Sequence, residues 1–312
     1  MFSAEPSADS SARGLSGRRR RFNGLFPDRL LHHRDPKWWQ EILLIGFCYW
    51  IYSQVRNLVP EQQSIAERHG RGVQHLQDAM HLNFERSLNR FVADHEPLAQ
   101  VMNYYYATLH FVVTIGCLVW LYRARPRIYR GARTVLFATS LTALAGFYLY
   151  PLAPPRLLPQ YGYVDTLLKF HTWGSLADPN VAEHSNQYAA MPSLHIGWAL
   201  WCGVVLYLCA GRAWVRALGL LYPIATLLVI VGTANHFVID AVAGLAVFLV
   251  GCAVQYLFSG RSAFVPAPLY RSVLNSATPI PAPAHPDGTA RHPEPPQHSH
   301  APGERSSQSA GS

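Results

Sequence analysis

Apolar residues in this chain gather into six runs, at about 40–59, 100–122, 134–153, 193–210, 214–234 and 237–258. A helix needs roughly 20 mostly apolar residues to cross a bilayer, and each run comes close to that length. Tryptophan and tyrosine cluster near several run ends, Trp120 and Tyr122 among them, as interfacial anchors do. The first run, Gln40 to Val59, is the weakest, and Arg56 near its end can snorkel to the headgroups. Residues 62–95 follow a different pattern. Ile65, Val73, Leu76, Met80, Phe84, Leu88, Phe91 and Val92 recur every three to four positions, with charged and amide residues between them. That spacing predicts an amphipathic helix lying on the membrane or capping the bundle. A helix on the soluble side packed against the core fits the same pattern. The expected fold is therefore all-α: a polytopic membrane protein with six transmembrane helices and one surface or capping helix.

Composition sharpens this picture. Half the residues are hydrophobic and only 14% are charged, against about 25% in soluble domains. The domain boundaries follow: a basic, disordered tail over 1–36, a membrane domain over 37–262, and a Pro- and His-rich disordered tail over 263–312. No apolar run follows the N-terminal arginines closely enough for a signal peptide, so the N-terminus is expected to be retained. The formal charge of +8 is almost all arginine, the lysines being Lys37 and Lys169. Arg123, Arg125, Arg127, Arg130 and Arg133 fall between the second and third runs, Arg212 and Arg216 between the fourth and fifth, and Arg261 after the sixth. Arginine in short loops marks the cytoplasmic side. Both termini are then expected in the cytoplasm, and a basic face for nucleic acid is not needed. Segments 60–99 and 154–192 and the turn near Asn235 face the other side. The five cysteines lie inside apolar runs without a CxxC and read as small apolar fillers.

Three stretches on that outer side carry chemistry: Tyr150 to Arg156, Ala190 to His195, and Asn235 to Asp240. His236 and Asp240 are four apart and share a helical face. Ionisable groups at membrane depth are costly, which favours a functional role. A carboxylate beside an imidazole fixes its tautomer, making His236 a candidate nucleophile; a structural His–Asp pair fits equally well taken alone. Pro192 and Ser193 suit a helix start, where free N–H groups attract an anion. His195, two residues on, can protonate a leaving oxygen. Arg156 can grip phosphate oxygens. Combined, these residues form a phosphate cradle with a nucleophile, an orienting acid and a proton donor, a set suited to two-step phosphoryl transfer. His184, Asn186 and Asn235 are candidate headgroup contacts. Glu85 and Asn89 could line the site, though a solvated helix face explains them more simply. His110 suggests a haem ligand only with a matched second pair, which is lacking, and it should lie deeper than His195 and His236. No metal-ligand spacing and no nucleotide loop stands out, and no cofactor is expected.

Pro192-Ser193-Leu194-His195 and His236 with Asp240 resemble the second and third motifs of the type-2 phosphatidic acid phosphatase superfamily. The resemblance implies a phospho-histidine on His236, oriented by Asp240, with His195 protonating the leaving group. Tyr150 to Arg156, Ala190 to His195, and Asn103-Tyr104-Tyr105 followed by His110 are similar to the inositolphosphotransferase-like branch, which holds inositol phosphorylceramide synthases and bacterial relatives. It covers about residues 40–260. Val229 and Ile230 stand where the superfamily has Ser-Arg, and the first motif's lysine is missing, leaving Arg156 alone. The resemblance implies a metal-independent membrane phosphotransferase on a lipid phosphate or phosphodiester, with a polyol or other alcohol as acceptor. A lipid phosphate phosphatase on the same residues is the alternative, and a non-catalytic lipid-binding or transport bundle the second. The arginine-rich composition suggests a bacterial plasma membrane, with the site on its outer face.

Overall fold

A computed structural model describes residues 37–58, 63–82, 84–172 and 187–264. The two expected tails lie outside these, apart from Ala263 and Phe264, as do His184 and Asn186. The described residues are helical, with one isolated parallel bridge between Leu152 and Ala189. Helix α1 spans Trp38–Leu58, α2 Gln63–Ala79 and α3 Phe84–Ala93. Helix α4 (Glu96–Tyr104) runs through a π-helical turn (Tyr105–Leu109) into α5 (His110–Ala124). Helix α6 spans Pro126–Leu149 and the short α7 Thr166–Lys169; α8 (Leu194–Cys209), α9 (Ala213–Gly232) and α10 (Val238–Ser259) complete the bundle.

Among the described residues, four helices are long and apolar enough to cross a membrane: Glu96–Ala124, Pro126–Leu149, Ala213–Gly232 and Val238–Ser259. The other two expected spans are helices with qualifications. Helix α8 is apolar but has 16 residues, about 24 Å of rise against a hydrocarbon core of about 30 Å. Helix α1 has 21 residues but carries Glu41, Gln54 and Arg56. Glu41 is buried, paired with Arg133 and accepting a bond from the Tyr129 hydroxyl at 2.8 Å. That pairing ties α1 to the start of α6.

The basic connections lie together at one end of the bundle. Arg125 alone joins α5 to α6, and residues 210–212 join α8 to α9. A core cluster fills that end, with Trp201, Tyr129, Leu121, Cys202, Ala263 and Phe264 buried. The Trp201 indole donates to the Ala132 carbonyl at 2.7 Å, so its one polar atom is satisfied. Cys117, Cys202 and Cys209 are buried free thiols, in keeping with a filler role.

The amphipathic region departs from expectation. It forms two helices, α2 and α3, broken at Met80–Leu82, where His81 has a left-handed φ of 58°. Leu76, Met80, Phe84 and Phe91 are more than half exposed, whereas Gln74, Gln77, Glu85 and Asn89 are buried. Both helices lie on the bundle with a mixed inward face, the buried polar side chains lying beside Val73, Leu88 and Val92, which pack on the core. The largest apolar side chains point outward, as an interfacial helix requires.

Helices α8 and α9 approach closest at a pair of glycines. A Cβ on Gly203 would lie 2.6 Å from the Gly219 carbonyl oxygen, and one on Gly219 2.9 Å from the Gly203 oxygen. Small residues at such crossings let membrane helices pack backbone to backbone. Gly203→Leu should lower the thermal unfolding midpoint in detergent, costing about 1–3 kcal/mol. Gly72→Ala, on α2 with nothing within 4 Å of the added carbon, should be neutral or slightly stabilising. A midpoint for Gly203→Leu equal to wild type would refute the close crossing.

Candidate active site

The site is built around the turn joining α9 to α10. Helix α9 ends in a double cap: the Asn235 N–H donates to the Ile230 carbonyl at 3.0 Å, and the Ala234 N–H to the Val231 carbonyl at 2.9 Å. Ala234 is left-handed with φ of 55°, a position that usually takes glycine. Residues 231–237 of this turn are buried. The turn delivers His236 directly before the first turn of α10, which carries Asp240.

The His236 ring is held from one side. Its Nδ1 lies 2.9 Å from the Ala190 carbonyl oxygen and 3.4 Å from Asp240 Oδ2. A carbonyl can only accept, so Nδ1 bears the hydrogen and Nε2 the lone pair. Nε2 is buried and has no hydrogen-bond partner among the described residues. Asp240 Oδ2 also accepts from the Phe237 backbone N–H at 2.9 Å, closing the first turn of α10.

Helix α8 meets this turn at its own start. The Ser193 N–H donates to the Asp240 carbonyl at 3.0 Å. Ser193 is the N-cap of α8, fully buried, and its Oγ has no partner among the described residues. His195 follows, its ring centroid 5.5 Å from that of His236 in an edge-on arrangement. The Tyr106 ring stacks on His195 at 4.3 Å and lies 6.3 Å from the His236 ring. Thus His236, Asp240, Ser193 and His195 come together as expected.

The remaining expected residues are placed differently. The Arg156 backbone N–H donates to the Ala234 carbonyl at 2.9 Å, so its segment abuts the turn between α9 and α10. Its guanidinium pairs with Asp165 at 2.9 Å, leaving Nε without a partner among the described residues. Asp165 in turn caps α7 through its other oxygen. The Asn235 amide donates to the Thr233 hydroxyl at 2.8 Å, within the turn. His110 is not deeper than His195. Both lie fourteen residues from the inner ends of their helices, and their ring centroids are 4.2 Å apart. The helix runs to Ala124, past the inner end of the apolar run at residue 122, which puts His110 level with His195. Among the described residues, no group of three or more His, Cys, Asp or Glu side chains could hold a metal ion.

Several site residues escape a reading of the sequence. Tyr106 lies in the π-turn, a distortion often found where a helix meets a functional site. Glu85 and Asn89, expected on a solvated face, are 1% and 0% exposed. Asn89 bridges the Gly232 carbonyl (3.0 Å) to Val164, donating to its carbonyl and accepting from its N–H. Asn103 ties α4 to Thr166 and Thr172. Glu85 accepts from the Val238 N–H at 2.9 Å and from Gln77 at 3.0 Å. The available signal is periodic: Gln74 and Gln77, then Glu85 and Asn89, make a polar stripe opposite Leu76, Met80, Phe84 and Phe91.

Comparison with known proteins agrees with the motifs. A family profile described as the PAP2 superfamily matches residues 71–254. The phosphoinositol dihydroceramide synthase of Bacteroides thetaiotaomicron is 27% identical over 186 residues, which cover 52% of this chain. The matched region spans 57% of that protein's length. This relative supports the inositolphosphotransferase-like branch. No solved structure matches the chain.

Burial pushes the Glu85 carboxyl up to about 7, helped by the nearby Asp240 charge and opposed by its bonds from Val238 and Gln77. A raised folded-state value means stability that is full below the unfolded value of 4.5 and is lost as pH rises through 7. Wild type should therefore lose unfolding temperature relative to Glu85→Gln between pH 4.5 and 7, then level off. Parallel thermal melts in detergent at pH 5, 6, 7 and 8 measure this; a constant difference would mean that Glu85 does not titrate in that window.

Proposed function

The chain belongs to the PAP2 superfamily, and on that premise we propose that it is an integral membrane phosphotransferase acting on a lipid phosphate or phosphodiester through a phospho-histidine. The observation that carries this reading is the His236 ring, with Nδ1 donating to Ala190 and Nε2 unpartnered among the described residues beside His195. In the first step the Nε2 lone pair attacks phosphorus. The P–O bond to the leaving group breaks, its electron pair stays on oxygen, and His195 supplies the proton. Positive charge developing on the His236 ring is offset by Asp240, 3.4 Å from Nδ1. In the second step an alcohol gives its proton to His195 and attacks phosphorus, and the P–N bond breaks to regenerate Nε2. Ser193 Oγ, the first N–H groups of α8 and Arg156 are the proposed phosphate ligands. Each step uses protein groups, so the reaction is expected to proceed in chelator.

The relative's name specifies a phosphoinositol group and a dihydroceramide. For this chain the inferred classes are a phosphodiester lipid as donor and a polyol or other alcohol as acceptor. Hydrolysis, with water in the second step, is the alternative on the same residues. Helices α1 and α8 are proposed as the fifth and sixth crossings: Glu41 in α1 is neutralised by Arg133, and α8 is extended at both ends by capped chain. Both termini would be cytoplasmic, beside Arg123, Arg125, Arg127, Arg130, Arg133, Arg212, Arg216 and Arg261, with the site on the outer face of a bacterial plasma membrane.

The test is turnover of a labelled phospholipid panel by purified protein in chelator, with and without inositol and other alcohols. A labelled new lipid ester formed by wild type, and reduced at least about 10³-fold in His236→Ala, is the expected result. Acid-labile label on the wild-type protein would mark the phospho-histidine. Free phosphate alone would assign a phosphatase. Unchanged turnover in His236→Ala would overturn the assignment of the nucleophile.

A further inference from the structure

We propose that Glu85 and Gln77, on the amphipathic helices, are a positioning pair that sets the geometry of the catalytic turn, an inference that rests on His236 and Asp240 being the reacting pair. The first N–H groups of any helix lack intrahelical partners, and those of α10 can be followed one by one. Phe237 N–H donates to Asp240 Oδ2 at 2.9 Å, within the helix's own first turn. Val238 N–H donates to Glu85 Oε1 at 2.9 Å, and Ile239 N–H to Gln77 Oε1 at 3.4 Å. Gln77 Nε2 closes the pair by donating to Glu85 Oε2 at 3.0 Å. Two consecutive backbone donors of the catalytic helix thus end on side chains 153 and 162 residues away in sequence.

The pair is built to be specific. Both side chains are 1% exposed, so a lost acceptor is not replaced by water. Every group that bonds Glu85 is a donor: the Val238 N–H, the Gln77 amide and the Tyr163 hydroxyl. The charged neighbours are Asp240, from α10, and Arg86, which bonds Tyr163. An acceptor pair at the start of a helix is also aligned with the helix dipole. Because Val238 and Ile239 lie between His236 and Asp240, fixing their N–H groups fixes the register of the two reacting side chains. It also commits the α10 terminus to the covering helices, which leaves the α8 terminus beside Ser193 for an anion.

A plain stabilising cap and a positioning pair differ in one reciprocal substitution. Glu85→Gln keeps an acceptor toward Val238 but turns an NH2 toward the Gln77 NH2. Gln77→Glu sets two carboxylates together. The double variant restores the pattern with roles exchanged. Its amide on α3 accepts from the Val238 N–H and donates to the carboxylate now on α2, which accepts from the Ile239 N–H. The four full-length proteins are compared for kcat and KM on the labelled phospholipid panel. Each is also read by 15N NMR of labelled histidine, the His236 signals being identified with His236→Ala. Each single variant should lose about tenfold or more in kcat with KM within about twofold, and should mix the His236 tautomers. The double variant should return kcat to within about threefold and restore one tautomer. Full kcat in Glu85→Gln, or a folded double variant no better than the worse single, overturns the pair. If wild type turns over no lipid, the functional reading fails. The tautomer comparison then still decides whether the pair positions His236, an unmixed signal in Glu85→Gln counting against it.

Discussion

The cost of burying ionisable groups beside a lipid phase governs this structure. A polar group in that setting must find a partner within the protein, because water is not there to supply one. His236, Asp240, Ser193 and Glu85 are all nearly fully buried. The surrounding architecture answers that burden bond by bond. Backbone carbonyls at Ala190 and Ile230, the capped turn after α9, and side chains from α2 and α3 satisfy the groups that hold the site in place. The atoms left over are informative for the same reason. Among the described residues His236 Nε2, Ser193 Oγ and Arg156 Nε are among the buried atoms without a partner, as is Asp240 Oδ1; the first three are the ones that a phosphate would meet in the proposed chemistry.

This burden also explains the polar side chains on the inward face of the amphipathic helices, beside the core residues Val73 and Val92. A covering helix on a soluble core turns its apolar side inward. Here the surface to be covered is polar, being the start of α10 and the end of α9. Glu85, Gln77 and Asn89 supply acceptors and donors there, while Leu76, Met80, Phe84 and Phe91 face outward. The apolar stripe is as necessary as the polar one, since α2 and α3 lie at the level where the bilayer interface is proposed. One pair of helices thus finishes the site and meets the lipid.

The reach of the sequence follows from the range of the interactions involved. Periodicity and loop arginines are local, and they locate most helix ends within a few residues; α6, however, starts at Pro126, well before the apolar run at 134, so Arg127, Arg130 and Arg133 lie on the helix, and the amphipathic stretch is two helices. His236, Asp240, Ser193 and His195 are legible because each sits in a short motif with its own local logic. Glu85 is not, because its partner is the Val238 N–H, 153 residues on, and a stripe pattern does not say which side faces the core. The polar stripe reads as the solvated one, and the fold turns it inward. His110 is misplaced in depth by the sequence because the helix continues to Ala124, beyond the inner end of the apolar run at residue 122. Arg156 falls near the site as its motif predicts, but its pairing with Asp165 depends on the loop fold that α7 stabilises.

That pairing bears on the kind of phosphate the site suits. Ile230, where the superfamily's motif has arginine, is fully buried in an apolar cluster with Ile196, Val231 and Ala241. The remaining guanidinium, Arg156, already shares its charge with Asp165. The site therefore brings little net positive charge to the phosphorus. A phosphate monoester approaches with a charge of about −1.5 to −2 at neutral pH, whereas a diester carries one negative charge. A cradle of one shared arginine, a serine hydroxyl and a helix N-terminus balances the diester better. Its binding strength then comes from dipoles and hydrogen bonds, which are directional, and less from net charge. A phosphodiester donor also leaves a phospho-histidine that still carries its headgroup, and an alcohol acceptor completes the exchange. In the proposed chemistry, the absence of the motif arginine and the engagement of Arg156 both favour a monoanionic substrate over a dianionic one.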